Sequence, residues 1–416
     1  NLLYRLSWQQ FCLAELAEGE CDLLFIPGGL YLGKFRPSLF ESASRVVVSP
    51  GVALTEPAIE AAQNAGRPVF GDIELFANQV RAPVAAITGS NGKSTVTTLL
   101  AEMATATGRR IRSGGNLGPP ALDLIGDETT DLYVLEVSSF QLETTSSLSP
   151  VVSTVLNVTP DHMDRYPNLQ AYAAAKQRVY RGNGVMVINR DDENVVAMME
   201  PGRPTIGFTL GPPSGDDFGV RENHLCRGEK YLLPIEEVAL KGGHNIKNVL
   251  AALAMGTVLD LNSVAMVECL KHFSGLPHRS ELVVRHRGVR WINDSKATNV
   301  GATVAAVKGL SRYAPVVLIA GGEGKGADFS PLREALDQTR VVILIGRDAK
   351  LIEHDIKGAC PIRHVNSLRE AVTMANALAQ YGDCVLLSPA CASFDMFESY
   401  EARGLTFKAL VNECVL

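Results

Sequence analysis

The residues Thr88-Gly89-Ser90-Asn91-Gly92-Lys93-Ser94-Thr95 are the most informative stretch of this 416-residue sequence. They follow an apolar run, Val84 to Ile87, and precede an aliphatic run, Val96 to Ala104. An apolar strand, a tight glycine turn and a helix in this order are typical of a parallel sheet that binds phosphate at the carboxyl end of a strand. The glycines let consecutive backbone N–H groups point at phosphate oxygens, and the following helix N-terminus adds partial positive charge.

This phosphate loop carries two side chains suited to a nucleotide. Lys93 is placed to reach the β- and γ-phosphates, and the Ser94 hydroxyl is placed to bind Mg²⁺. The spacing is shorter than the usual GxxxxGK[ST] pattern, whose first glycine would fall at Ile87. A glycine-rich turn with a surface lysine is the alternative, but the strand, glycines, lysine and hydroxyls all occur in order. We therefore predict an ATP site formed by Gly89, Ser90, Asn91, Gly92, Lys93, Ser94 and Thr95.

Two further strand ends carry groups that bind divalent metal ions. The run Leu132–Ser139 places Glu136 near the end of a buried strand, where a P-loop enzyme needs an acid to hold Mg²⁺. His162 follows another strand and is flanked by Asp161 and Asp164, and neutral imidazole is a good metal ligand. The alternatives are a strand-end acid bonded to backbone and an ordinary hydrogen-bonded histidine. We favour the metal, for Glu136 because of the P-loop and for His162 because of the flanking acids.

The segment Ala171–Arg178 has a helical pattern. Its own sequence predicts that Lys176 is a solvated helix lysine, because nothing in the spacing makes it special. An ammonium group cannot bind a metal ion.

The strand-turn-helix unit recurs along the chain and predicts an α/β fold with parallel sheets covered by helices on both faces. The β-branched runs are Arg45–Gly51, Val84–Gly89, Leu132–Ser139, Val151–Val158, Val185–Asp191, Val316–Gly322, Val341–Gly346 and Cys384–Pro389. Breaks at Gly71-Asp72 and Gly275-Leu276-Pro277 divide the chain into three expected domains: 1–71, 72–275 and 276–416. The length agrees, because a single core rarely grows beyond about 250–300 residues.

Composition narrows the class of protein. Hydrophobic residues make up 46% and charged residues 20%, as in an ordinary globular protein. The net charge of -6 and the lack of a basic block argue against a nucleic-acid partner. No apolar run reaches the roughly 18 residues of a membrane span, and no signal peptide is visible at Asn1. Eight scattered cysteines without a CxxC pair indicate reduced thiols, so we expect a cytoplasmic protein.

Taken together, the motifs resemble the Mur ligases of peptidoglycan synthesis. The matching segments are Gly89–Ser94, Glu136–Glu143, Asp161–Tyr166, Gly243–Asn248, Leu276–Arg279, Asn293–Asn299 and Ser388–Asp395. The likeness runs from about Val46 to the C-terminus, and seven motifs in order are far more specific than any one. Within the family, the combination is most similar to the branch that adds D-glutamate to UDP-N-acetylmuramoyl-L-alanine.

The resemblance implies an N-terminal Rossmann-like domain for the UDP substrate, a central P-loop ATPase-like domain and a C-terminal Rossmann-like domain for the amino acid. It implies an acyl-phosphate intermediate, two Mg²⁺ ions held by Ser94, Glu136 and His162, and a Lys176 carbamylated by CO₂ so that it resembles a carboxylate. It further implies roles for residues that the motifs alone do not assign: Asn245, Asn248, Arg279 and Asp294 on the adenine and ribose side of ATP; Lys296, Thr298, Lys325, Ser393, Phe394 and Tyr400 in the D-glutamate pocket; Asn116, Ser138, Gln141, Ser49 and Gly51 on the UDP-sugar substrate.

The N-terminal segment departs from the family pattern. Residues 1–45, with Gly28-Gly29 and Gly33, lack the expected glycine turn for the uracil nucleotide, so we assign no contact there. We expect the N-terminal domain to be incomplete and the protein to be a monomer.

Three other interpretations compete. A folylpolyglutamate synthetase would also use a P-loop to bind ATP, but Asn293–Asn299 and Ser388–Asp395 favour the D-glutamate enzyme. A non-catalytic nucleotide-binding regulator would not need Glu136, His162 and Lys176. A P-loop kinase would leave a stable phosphorylated product.

Overall fold

The computed structural model describes residues 23–26, 29–32, 35–116, 118–126, 129–163, 165–240, 242–273 and 275–415. Gly28, Gly33 and Asp164, which the sequence analysis considered, lie outside these residues.

The strands are β1 Leu23–Ile26, β2 Gly29–Leu32, β3 Val46–Val47, β4 Val69–Phe70, β5 Val84–Thr88, β6 Ile111–Gly115, β7 Leu132–Glu136, β8 Val152–Val155, β9 Val185–Asn189, β10 Thr205–Phe208, β11 Phe218–Arg221, β12 His224–Arg227, β13 Lys230–Pro234, β14 Glu281–His286, β15 Val289–Asn293, β16 Val316–Gly321, β17 Thr339–Ile345, β18 Ile362–His364 and β19 Cys384–Leu387.

The α-helices are α1 Pro37–Ser42, α2 Pro57–Asn64, α3 Asp72–Ala77, α4 Lys93–Thr105, α5 Ser139–Glu143, α6 Leu169–Gln177, α7 Glu193–Val196, α8 Gly243–Val258, α9 Ser263–His272, α10 Val300–Ser311, α11 Ser330–Arg333, α12 Ala349–Ile356, α13 Leu368–Leu378 and α14 Tyr400–Cys414. Short 3₁₀ turns occur at Ala121–Leu124, Arg178–Tyr180 and Ile235–Glu237. In the described part of the chain, none of the helices has the length and apolar character that crossing a membrane requires.

The chain divides into two compact units. The first comprises the chain up to Val158 together with Gln170–Val238 and Lys247–His272. The second comprises Thr159–Leu169, Ala239–Ile246 and the chain from Phe273 onward. The predicted domain bounds of 1–71, 72–275 and 276–416 stay a prediction.

A nine-stranded sheet organises the first unit, in the order β13-β12-β11-β10-β9-β8-β5-β7-β6. Its strands are parallel from β6 to β11, and β12 and β13 extend it as antiparallel hairpins. Strands β5 and β7 are buried at every position, as expected of parallel strands covered on both faces. The phosphate loop follows β5, which lies in the interior of the sheet between β8 and β7.

The N-terminal part of the first unit contains a parallel pair, β3 and β4, beside α1 and α2. Its small core is formed by Phe40, Val46, Val48, Ala58, Ile59 and Ala62. Strands β1 and β2 pair in antiparallel orientation.

The second unit contains a six-stranded sheet in the order β14-β15-β19-β16-β17-β18, parallel except for β14. Side chains of α10, α11 and α12 contribute to the core on one face, and those of α13 and α14 contribute to the core on the other. Strand β19 lies between β15 and β16. The helices that follow β15 and β16, α10 and α11, pack on one face of the sheet, whereas α14, which follows β19, packs on the other. This is a topological switch point, where ligands bind at the carboxyl ends of α/β strands.

Each predicted β-branched run contains a strand, and the predicted helices Val96–Ala104 and Ala171–Arg178 are present as α4 and α6. The parallel α/β fold is therefore confirmed for the regions that surround the candidate site.

Candidate functional site

The phosphate loop needs glycine at two positions, because its backbone turns tightly and packs closely against its neighbours there. Gly89 has a φ of 148° and Gly92 a φ of 87°, backbone conformations that residues with a side chain rarely adopt. A Cβ on Gly89 would lie 3.0 Å from the Cβ of Leu156, and one on Gly92 would collide with the side-chain oxygen of Asn248. The loop therefore lies against the end of β8 on one side and against α8 on the other.

Two lysines converge on one carbonyl of this loop. The Nζ of Lys93 donates to the carbonyl oxygens of Gly89 at 2.8 Å and Ser90 at 3.1 Å. The Nζ of Lys176 donates to the same Gly89 oxygen at 3.0 Å and lies 4.3 Å from the centroid of the Tyr172 ring. Lys176 is 1% exposed, so its interpretation as a solvated helix lysine was wrong. Its charged end lies at the phosphate loop, which the pattern of a nine-residue helix could not reveal.

Glu136 has the environment of a metal ligand. It ends β7, is 2% exposed, and its Oε1 accepts a hydrogen bond of 2.7 Å from the side-chain amide of Asn116. Its Oε2 is buried and has no hydrogen-bond partner among the described residues. A buried carboxylate oxygen without a donor is costly unless a cation compensates it. Oxygen ligands suit Mg²⁺, so Glu136 and the buried Ser94 hydroxyl fit a magnesium ion.

Ser138 and Gln141 form a capping box at the start of α5. The Ser138 hydroxyl accepts from the Gln141 N–H at 3.1 Å, and the Gln141 Oε1 accepts from the Ser138 N–H at 3.0 Å. The Gln141 amide also donates to Asp72 at 2.7 Å, and burial raises the pKa of the Asp72 carboxyl. These contacts hold the segment after Glu136 in place. The predicted substrate contacts of Ser138, Gln141 and Asn116 stay predictions.

Ser49 and Gly51 form the turn after β3. The Ser49 hydroxyl accepts from the Gly51 N–H at 3.4 Å. Their contact with a UDP-sugar stays a prediction.

In the second unit, the predicted amino-acid pocket residues follow three neighbouring strands. Lys296 and Thr298 follow β15, Lys325 follows β16, and the remaining three, Ser393, Phe394 and Tyr400, follow β19. All six therefore lie in segments that follow the strands of the switch point, and Tyr400 is the first residue of α14. Lys296 lies over the Tyr400 ring, with its Nζ 3.7 Å from the ring centroid. Phe394 is 71% exposed, whereas Ser393 is buried.

Asp161 connects three parts of this unit. Its carboxylate accepts from the Lys325 ammonium at 3.4 Å, the Asn299 side-chain amide at 3.0 Å and the His162 N–H at 3.0 Å. Lys325 and His162 have φ values of 52° and 57°, left-handed conformations that cost free energy for non-glycine residues. Such strain tends to occur at functional sites, and here it lies on two predicted site residues.

The predicted adenine and ribose residues are divided between the units. Asn248, in the first unit, contacts Gly92 as described above. In the second, Asn245 is buried near the start of α8, and Asp294 follows β15. Burial raises the pKa of Asp294 to about 6, although hydrogen bonds from the Ser388 hydroxyl at 2.8 Å and the Ser280 N–H at 2.9 Å oppose the shift. The charge of Arg279 lowers the pKa of Asp294 in the same way.

Sequence reasoning missed two structural residues of these sites. Arg403 on α14 is 1% exposed and donates to the carbonyl oxygens of Ser295, Cys391 and Ala392. Asn157 at the end of β8 holds the phosphate loop. No sequence motif indicates the role of either residue, and only their contacts in the folded protein identify them.

Family models match most of the chain. Residues 21–71 match the model described as Mur ligase MurD-like, N-terminal domain; residues 87–256 match the Mur ligase middle domain; residues 278–391 match the Mur ligase, glutamate ligase domain. The first match begins upstream of Val46, where the sequence motifs had placed the start of the likeness.

Curated relatives agree with these matches. The chain is 56% identical over 406 residues to the UDP-N-acetylmuramoylalanine–D-glutamate ligase of Nitrosococcus oceani, covering 96% of this chain and 88% of the relative. It is 50% identical to the enzyme of the same name from Methylococcus capsulatus, covering 92% and 84%.

Solved structures share the fold. A pseudomurein peptide ligase type C from Methanothermus fervidus aligns with a TM-score of 0.64 at 16% identity, covering 92% of this chain and 89% of that one. The MurF ligase from Thermotoga maritima in complex with ADP aligns with a TM-score of 0.62 at 16% identity, covering 90% and 97%. The chain belongs to the Mur ligase family, and its architecture is the three-domain α/β architecture of that family.

Proposed function

We propose that this protein is an ATP-dependent ligase that joins D-glutamate to the carboxylate of UDP-N-acetylmuramoyl-L-alanine in the synthesis of peptidoglycan precursors. The observation that carries the chemistry is the phosphate loop beside a buried acid, Glu136, one oxygen of which has no hydrogen-bond partner in the described part of the chain. The choice of substrates is supported by two relatives that are named for this activity. The chain matches 88% and 84% of their lengths.

ATP is placed by the phosphate loop. The amides at the start of α4 and the Lys93 ammonium neutralise the phosphates, whose negative charge would otherwise repel the attacking substrate carboxylate. Lys93 now donates to its own loop carbonyls, so we infer that it exchanges them for phosphate oxygens when ATP binds. Asn245, Asn248, Arg279 and Asp294 are proposed to bind the adenine and ribose.

Two Mg²⁺ sites are part of the proposal. Ser94 and Glu136 would hold one ion, His162 would hold the other, and the ions would supply electrostatic stabilisation of the transferred phosphoryl group. Lys176 is proposed to react with CO₂ to give a carbamate that helps to position a metal. Its position at the Gly89 carbonyl supports a role at the phosphate loop.

The amino-acid half of the reaction uses the switch-point residues. D-Glutamate carries two carboxylates, and Lys296 and Lys325 are the cations proposed to bind them, with Thr298, Ser393, Phe394 and Tyr400 as neighbours. Asn116, Ser138, Gln141, Ser49 and Gly51 are proposed to contact the UDP-sugar.

The reaction then proceeds in two steps. The substrate carboxylate attacks the γ-phosphorus of ATP, ADP leaves, and an acyl phosphate forms. The amine of D-glutamate attacks the acyl carbon, phosphate leaves, and the new amide loses a proton. Holding the reactants together in the correct geometry supplies on the order of 7–11 kcal/mol in favourable cases.

We further propose that the protein acts in the cytoplasm as a monomer. The described cysteines, Cys226, Cys269, Cys360, Cys384, Cys391 and Cys414, are all free thiols, which suits a reducing compartment.

The test is phosphate release from MgATP with UDP-N-acetylmuramoyl-L-alanine, comparing D-glutamate, L-glutamate, L-alanine and no amino acid. Release that depends on D-glutamate supports the proposal. Release with a different amino acid would keep the ligase and contradict the substrate assignment, and release without any amino acid would indicate an ATPase.

A further inference from the structure

The peptide groups of Asn91, inside the phosphate loop, are held by one side chain from the segment that follows β8. The Asn157 Oδ1 accepts from the Asn91 N–H at 2.8 Å, and the Asn157 Nδ2 donates to the Asn91 carbonyl oxygen at 2.9 Å. Both halves of the Asn157 amide are thus used on a single loop residue. The two residues are 66 positions apart in sequence, so the contact exists only in the folded sheet.

This contact continues the pairing of β5 with β8 into the loop. The Leu156 N–H donates to the Thr88 carbonyl at 2.9 Å, and the Ser90 N–H donates to the Asn157 carbonyl at 3.0 Å. The side chain of Asn157 then takes over where the backbone ladder ends. Because an asparagine amide has the donor and acceptor of a peptide group, it can mimic one more rung of the ladder.

The pairing determines which amides can face a phosphate. The N–H groups of Ser90 and Asn91 point at Asn157 and are used within the protein. These two amides are therefore not available to a bound anion. A loop fixed in this way needs little ordering when a nucleotide binds.

We propose that Asn157 is a positioning residue for the nucleotide phosphates: it acts through Asn91, by holding the phosphate loop in its binding conformation. This inference rests on the proposed ATP site. It assigns a function to a residue that is not among the proposed ATP contacts and acts through the loop.

The test replaces Asn157 by leucine, which has the same branching and no hydrogen-bonding groups. The matched control is Thr154→Val on β8, the strand that Asn157 follows. The Thr154 hydroxyl donates to the Val187 carbonyl at 2.9 Å, so this variant removes a buried hydrogen bond without touching the loop. The dissociation constant of ADP with Mg²⁺ is measured by calorimetry, together with Tm and the KM values for ATP and D-glutamate.

We expect N157L to bind ADP roughly tenfold or more weakly than the unsubstituted protein, because two hydrogen bonds are lost and the competent loop conformation is less populated. Its KM for ATP rises in parallel, whereas its KM for D-glutamate stays unchanged. T154V lowers Tm and leaves ADP affinity unchanged.

Unchanged ADP affinity in N157L would overturn the inference. Equal losses of affinity in N157L and T154V would also overturn it, because the effect would then be general loosening of β8. Failure of the unsubstituted protein to bind ADP would instead overturn the proposed ATP site, so the two failures are distinguishable.

Discussion

The side-chain amide of Asn116 donates a 2.7 Å hydrogen bond to one oxygen of Glu136, and the other oxygen of that carboxylate is buried without a donor among the described residues. Asn116 follows β6 and Glu136 ends β7, two neighbouring parallel strands. The amide fixes the rotation of the carboxylate, so that the second oxygen stays directed into the interior. A buried carboxylate oxygen without a donor is costly unless a cation compensates it, and this supports the proposal that Glu136 binds Mg²⁺.

Replacing Glu136 by glutamine tests that relationship. The shape is kept but the negative charge is lost, so we expect activity to fall by about a hundredfold or more. Stability should change little, because the substitution removes a buried negative charge but leaves a buried amide group without a partner in its place, and the two effects oppose each other. Steady-state kinetics across a Mg²⁺ titration make the measurement, and Glu102→Gln, an exposed acid on α4, is the control. Full activity in E136Q would rule out a role in metal binding.

Replacing Lys325 by methionine tests the amino-acid pocket. The ammonium that Asp161 now holds at 3.4 Å is the one proposed to bind a carboxylate of D-glutamate. A hydrogen bond to a charged group contributes about 1.5–3 kcal/mol, so we expect the KM for D-glutamate to rise at least about tenfold. The KM for ATP should not change. Lys350→Met, an exposed lysine on α12, is the control, and a rise in the KM for ATP alone would contradict the pocket assignment.

The buried carboxyl of Asp294 predicts a pH dependence of stability. Burial raises its folded pKa from 3.8 to about 6, so the folded state binds more protons than the unfolded state between these values. The contribution of the protonated Asp294 carboxyl to the free energy of unfolding is therefore fully present below about pH 4. It is lost as the pH rises through about 6, and the total loss is about 3 kcal/mol. The Asp294→Asn variant should not lose stability in this way, because asparagine does not ionise.

Urea unfolding from pH 4 to 7 measures the difference between the two proteins. The stability of D294N relative to the unsubstituted protein should increase with pH over this range. Asp337→Asn, at an exposed position, should show no such trend. A difference that is flat with pH would contradict the raised pKa.

Arg403 predicts a coupling between stability and the pocket. Its guanidinium donates to Ser295 at 2.8 and 2.9 Å and to the Cys391 carbonyl at 3.2 Å, tying the loops after β15 and β19 to α14. Lysine cannot reproduce this fork, so Arg403→Lys should lower the free energy of unfolding by about 3 kcal/mol and raise the KM for D-glutamate.

The control for that substitution is Arg369→Lys, because Arg369 and Glu413 form an exposed ion pair whose loss changes stability little. Equal stability of the two lysine variants in urea unfolding would contradict the structural role of Arg403.

The sequence predicted the fold where the signal is local. The phosphate loop, with Gly89 and Gly92, lies between a strand and a helix as expected, and the strands around it are continuous β-branched runs. Strands β10 to β13 were not predicted, because they are short and the segment Thr209–Gly215 reads as a loop. Short strands depend on their partners more than on their own residues.

The site was predictable only in part for the same reason. The types and order of Lys93, Glu136 and His162 indicate nucleotide and metal chemistry without any knowledge of contacts. The burial of Lys176 and the bidentate hold of Asn157 on Asn91 arise from residues far apart in sequence. A periodicity of a few residues carries no information about such pairs.

The central claim is tested most directly with UDP-N-acetylmuramoyl-L-alanine whose carboxylate is labelled with ¹⁸O. The labelled substrate, MgATP and D-glutamate are incubated with the protein, and the products are analysed by mass spectrometry. An acyl-phosphate mechanism predicts a nucleotide product that has gained one glutamate residue and a phosphate that carries one ¹⁸O from the substrate. A phosphate free of ¹⁸O, or a nucleotide substrate of unchanged mass, would contradict the account.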